Sequence, residues 1–201
     1  MIRYYICYRK DKNFEDKFAR FLNKLLAELM TKYILIPTIN AVKGDILKLN
    51  SAIVVSDIPK FDFKELDQAQ LEAGIQNPHR NVVRMLLKTL AYKHQDSLLP
   101  SKWEIEHIFP QKWQTNYFID ESDNKIREKI EHIGNKLPFE KKLNIIAGNG
   151  YFAKKKKEYA ASKIEITKFM GLSEIQEWNL ESISKRDIRI SDSIIAILKK
   201  W

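Results

Sequence analysis

The sequence predicts an α+β protein that is mostly helical, on three observations. Apolar residues recur every three or four positions over residues 13–33, 41–55 and 81–94, the repeat of helices with one buried face. The run Trp103-Glu104-Ile105-Glu106-His107-Ile108-Phe109 then alternates large apolar with charged side chains and stops at Pro110, the period of a strand. Beyond it, residues 123–132, 141–147, 152–169 and 191–201 return to helical spacing, and 135–139 suits a short second strand.

Taken in order, Phe14, Phe18, Phe21, Leu25 and Leu29 line the inner face of the first helix, which Pro37 ends. The helix over 41–55 is weaker, and an irregular stretch with Pro59 leads on to Phe63. Val82, Val83, Leu86, Leu87 and Leu90 point inward from 81–94. Gly134 sits where a C-terminal cap of the helix over 123–132 would fall, and Gly148-Asn149-Gly150 breaks the next helical stretch. The expected division is a helical scaffold over residues 1–97 and a second region over 98–201.

Composition narrows the class. The chain has 201 residues, 44% hydrophobic and 30% charged, enough to bury one sizeable core or two small ones. Its one cysteine, Cys7, excludes an internal disulfide and any zinc site built on paired thiolates. No apolar run reaches the roughly 18 residues of a membrane span, and the start, MIRYYICYRKDKNF, is too polar for a secretory signal. A cytoplasmic protein with no membrane partner is expected. The net charge is +9, and residues 136–163 hold eight lysines against Glu140 and Glu158, a surface suited to a polyanion.

Four histidines are candidates for proton transfer near neutral pH. His79 lies in a loop and His94 at a helix end, where an imidazolium suits the dipole. His107 differs, standing on the strand directly after Glu106. The pair offers a carboxylate oxygen and an imidazole, and hard divalent cations take oxygens, water and phosphate. Adjacent strand residues face opposite sides unless a twist or bulge redirects one. Glu131-His132 repeats the dipeptide, so the pair alone is unspecific.

The downstream pattern adds specificity. After Glu106-His107-Ile108-Phe109-Pro110-Gln111 come Ile133-Gly134-Asn135, then Leu143-Asn144, then Phe152, Lys155, Lys156, Tyr159 and Ser162, with Trp178, Ile183, Arg186 and Trp201 in the tail. In this order the motifs resemble the HNH nuclease domain at the C-terminus of GmrSD-type, modification-dependent (type IV) restriction endonucleases, over about residues 98–201.

The resemblance implies a ββα-metal (HNH) nuclease core carried behind an N-terminal helical scaffold. It implies that His107 activates water, that Glu106 and Asn144 hold one divalent metal, and that Asn135 fixes the backbone around His107. It also gives Lys155 and Lys156 a place on phosphate oxygens. Magnesium is the expected ion, with manganese as substitute, DNA the substrate and defence against foreign DNA the setting. Lys136, where the pattern has an apolar residue, and Pro138 depart from it. The wider family couples this nuclease to a nucleotide-dependent sensor, of which residues 1–100 show no motif. An isolated C-terminal module, a split subunit or a shortened chain are the readings this leaves.

Each role has a plainer rival. Asn135 also fits a helix end, Asn144 a helix surface, and Lys154 to Lys157 a solvated face. The rival functions are a nucleic-acid-binding module with a degenerate site and a helical adaptor subunit.

Overall fold

The computed structural model describes residues 1–61, 67–114 and 121–201; Phe63, where the irregular stretch was expected to close, lies outside them. It divides into two compact units, Met1–Gly74 with Ile195–Trp201, and Ile75–Ile194. Among the described residues no helix is long and apolar enough to cross a membrane.

In the first unit, α1 (Ile2–Tyr8), α2 (Phe14–Leu35) and α3 (Asn40–Val55) pack on one another. Helix α2 follows the sequence repeat, burying Phe21, Leu25, Met30 and Ile34. Helix α1 (seven residues) was not expected. It is fixed from outside itself: the buried Tyr4 ring stacks on Phe21 at 4.2 Å, and its hydroxyl donates to the Asp57 carbonyl at 2.6 Å. A short α4 (Gln68–Gln76), also unexpected, runs across the boundary between the units.

The second unit begins structurally with α5 (Arg80–His94), followed by β1 (Trp103–His107), α6 (Asp123–Ile130), a 3-10 turn (Ile133–Asn135), β2 (Lys136–Glu140) and α7 (Lys141–Ala147). Then come α8 (Phe152–Ala160), α9 (Glu165–Leu172) and α10 (Leu180–Lys200), whose residues from Ile195 belong to the first unit. Helix α5, placed with the scaffold on sequence grounds, packs on β2 and α9.

Strands β1 and β2 are antiparallel, with His107 opposite Lys136, Glu106 opposite Leu137 and Ile105 opposite Pro138. A two-stranded sheet has only edge strands, so Pro138 can turn its donorless nitrogen away from the ladder. Helix α7 follows β2 directly and packs on both strands. Ile126, Ile130, Leu137, Phe139, Phe152 and Tyr159 form the core beneath them.

Two local expectations are corrected. The helix over 152–169 is two helices, because the chain turns between α8 and α9. Glu140 holds that turn, accepting from the Ser162 hydroxyl at 2.8 Å and the Lys163 amide at 2.6 Å. Gly134 is not a helix cap; it lies inside the 3-10 turn, where a Cβ would meet the Ile183 carbonyl oxygen at 2.3 Å and the Asp187 nitrogen at 2.9 Å. Glycine is required there by the close approach of α10.

Candidate active site

Alternation along β1 sends Glu104 and Glu106 to one face and His107 to the other. Glu106 is buried among helices α7 and α8, and its Oε1 accepts from Lys155 Nζ at 2.6 Å and from the Tyr159 hydroxyl at 2.7 Å. Both bonds fall on one oxygen; Oε2 accepts none among the described residues. Burial and the nearby Glu106 charge push the Tyr159 phenol well above its ordinary range, so it stays a donor. Next along the strand, Glu104 Oε2 accepts from Asn144 Nδ2 at 3.1 Å. The structure therefore brings Asn144 to Glu104, a carboxylate that sequence reasoning passed over, and ties Glu106 to Lys155.

Lys155 is 1% exposed, and its ammonium also donates to the His107 carbonyl at 2.6 Å. Phe152, Lys155 and Tyr159 share the inward stripe of α8, so the lysine is carried into the core and paired there. This corrects the expectation that Lys155 reaches a phosphate. Lys156 is likewise engaged, donating to the Ser173 and Ile175 carbonyls at 2.6 and 2.8 Å. The solvent-facing lysines of the run are Lys154 and Lys157. Lys155→Met is expected to cost about 3 kcal/mol in a denaturant unfolding experiment, since it strands a buried carboxylate.

On the opposite face, His107 Nε2 is buried and makes no hydrogen bond among the described residues. Glu131 Oε1 lies 3.4 Å away. Burial lowers the imidazole pKa below its ordinary 6.5, with Glu131 opposing and Lys136 adding to the shift. The shift favours the neutral ring, the form able to accept a proton. Lys136, the departure from the motif, is buried and donates to the Glu131 backbone carbonyl at 2.6 Å and carboxylate at 2.8 Å.

Asn135 is fully buried, and its side chain spans the residues that follow His107. Its Oδ1 accepts from the Phe109 amide at 2.7 Å and from Trp178 Nε1 at 3.2 Å; its Nδ2 donates to the carbonyls of Phe109 and Ile130 at 3.0 and 3.1 Å. Its own carbonyl accepts from the Ile108 amide at 2.9 Å. Asn149 works similarly at the next loop, its amide bonding the Lys112 backbone in both directions. His132 is no bystander: its Nδ1 lies 2.8 Å from Asp187 Oδ2. The tail residues Trp178 and Arg186, noticed only as a pattern in sequence, both reach this turn, Arg186 through the Gly134 carbonyl at 2.7 Å.

A family model for the C-terminal domain of GmrSD restriction endonucleases matches residues 60–192. The chain belongs to that family. This GmrSD-type domain is thus a restriction-endonuclease nuclease, with DNA as its substrate and a divalent metal as the general cofactor of its class. The match begins well before residue 98 and takes in α4 and α5 of the GmrSD-type domain. Neither a curated protein nor a solved structure matches it.

Proposed function

We propose that the chain is a metal-dependent HNH endonuclease whose β1, β2 and α7 form the ββα-metal core, with the chemistry carried by residues 98–201. The observation that carries this is His107: a strand-end imidazole, neutral, with its Nε2 uncommitted and its flanking backbone pinned by Asn135 and Lys155.

In this reading His107 takes a proton from water, the hydroxide attacks phosphorus, the bond to the 3′-oxygen breaks, and that oxygen takes up a proton from solvent, leaving 5′-phosphate and 3′-hydroxyl ends. General-base assistance of this kind contributes roughly 10²–10⁴-fold. Among the described residues no group of three or more His, Cys, Asp or Glu side chains converges. In this reading the metal would be held by a carboxylate oxygen of Glu106 and the amide oxygen of Asn144, whose Nδ2 donates to Glu104; these are the oxygen donors a hard cation takes. Magnesium, or manganese in its place, would compensate charge on the phosphate and leaving oxygen. Asn135 keeps His107 in register. The setting proposed is cytoplasmic defence against foreign DNA, alongside a nucleotide-dependent sensor.

One observation favours a second reading, a DNA-binding module without cleavage: Lys155 already neutralises Glu106 without an ion. Metal titration of plasmid nicking separates the two. Asn144→Ala and Glu106→Gln are each expected to shift the magnesium needed for half-maximal nicking upward by about tenfold or more. Nicking that is absent at every metal concentration in the folded parent chain selects the binding module. An unchanged metal requirement in both variants removes these two residues from the metal site.

A further inference from the structure

Helix α10 grips the 3-10 turn on both sides of a single residue. Asp187, whose side chain is 2% exposed, accepts from the Gly134 amide at 2.7 Å, and its other oxygen meets Lys129 Nζ and His132 Nδ1, each at 2.8 Å. The neighbouring Arg186 donates through Nη1 to the carbonyl of Gly134 at 2.7 Å and to that of Lys136 at 2.9 Å. Burial lowers the Arg186 pKa to about 10, which still leaves a cation at neutral pH. The N–H and C=O of Gly134 are therefore held by opposite charges from adjacent residues of one helix.

The bare Cα of Gly134 lets this happen. A side chain there would strike the Ile183 carbonyl and the Asp187 carboxylate, at 2.3 and 2.6 Å from the Cβ position. Asn135 follows immediately, and its amide fixes both backbone groups of Phe109, two residues beyond His107. The contacts thus run from Arg186 and Asp187, through Gly134 and Asn135, to the backbone that aims His107. An apolar contact would suffice to seat a three-residue turn; charge-assisted bonds add direction.

We propose that Arg186 and Asp187 are positioning residues, which set His107 by clamping the peptide groups around Asn135 without touching the substrate. The catalytic half of this inference rests on the nuclease reading; the structural half does not. Misplacement of a reacting group by about 1 Å can cost on the order of 100-fold in rate.

The test uses Arg186→Met, Arg186→Lys and Asp187→Asn in the full chain, with two readouts. Amide hydrogen exchange at Ile108 and Phe109 is compared with that at Leu86 and Leu87 of α5, and single-turnover cleavage is measured on plasmid DNA at saturating protein. Arg186→Met should speed exchange at 108 and 109 by about tenfold or more while leaving α5 protected. The rate on bound DNA should fall about tenfold or more, with DNA affinity held within about twofold. Arg186→Lys and Asp187→Asn, which each keep one directed hydrogen bond, should fall between Arg186→Met and the parent in both readouts. They also remain informative if Arg186→Met does not fold. Unchanged exchange at 108 and 109 in a folded variant overturns the clamp. Faster exchange with an unchanged rate on bound DNA overturns its catalytic role. Absence of cleavage in the parent chain rejects the nuclease reading instead, and the exchange data still decide the clamp.

Discussion

His107→Ala is expected to lower single-turnover cleavage of bound DNA by about 10²–10⁴-fold, the share of a general base. Folding should survive the change. The deleted ring carries a buried nitrogen with no hydrogen-bond partner, so little polar satisfaction is lost with it. DNA affinity should also hold, because the neutral imidazole contributes no charge to phosphate binding. His94→Ala, at the end of α5, is the suitable control. His132→Ala is not, despite its identical Glu-His-Ile context, because its ring meets Asp187. Wild-type cleavage by folded His107→Ala protein would remove the imidazole from the chemistry.

Asn135→Ala should be the most destabilising of the single changes considered, at about 4 kcal/mol or more in denaturant unfolding. Four hydrogen bonds to the Asn135 side chain are lost together, from the Phe109 amide and the Trp178 indole and to the Phe109 and Ile130 carbonyls. The residues involved are buried, and a lost hydrogen bond at a buried group costs about 1–3 kcal/mol. Any protein that remains folded should cleave slowly without an altered metal requirement, since Asn135 is committed to backbone and indole. Asn135→Asp tests shape against chemistry: it keeps the acceptor oxygen for the Phe109 amide and the Trp178 indole but sets a second carboxyl oxygen against the Phe109 and Ile130 carbonyls. A midpoint within error of the parent for Asn135→Ala would show that the turn is held elsewhere.

The periodic elements were legible because their signal is local. Helices α2 and α5 announce themselves through repeated apolar spacing, and β1 through the alternation of large apolar and charged residues ahead of Pro110. Helices α1 and α4 were not; α1 is held by contacts with Phe21 and Asp57, both remote in sequence. The break between α8 and α9 escaped notice because apolar spacing continues through Ile164, while its cause, Glu140, lies 22 residues away. Lys155 was misread for the same reason. A lysine on an inward stripe looks like solvent-facing charge until its partner is known, and Glu106 is 49 residues upstream. Gly134 looked like a cap because the helix that crowds it, α10, begins only at Leu180. Asn135 was found through the order of motifs, but its four partners are visible only in three dimensions.

The most direct measurement of the central claim is the conversion of supercoiled plasmid by the purified chain, with magnesium or with chelator, followed by analysis of the ends. Nicking that requires the metal, leaves 5′-phosphate and 3′-hydroxyl termini, and disappears in His107→Ala is the predicted result. Nicking that persists in chelator, or DNA that is bound but never cut by the folded parent at any magnesium or manganese concentration, would contradict it.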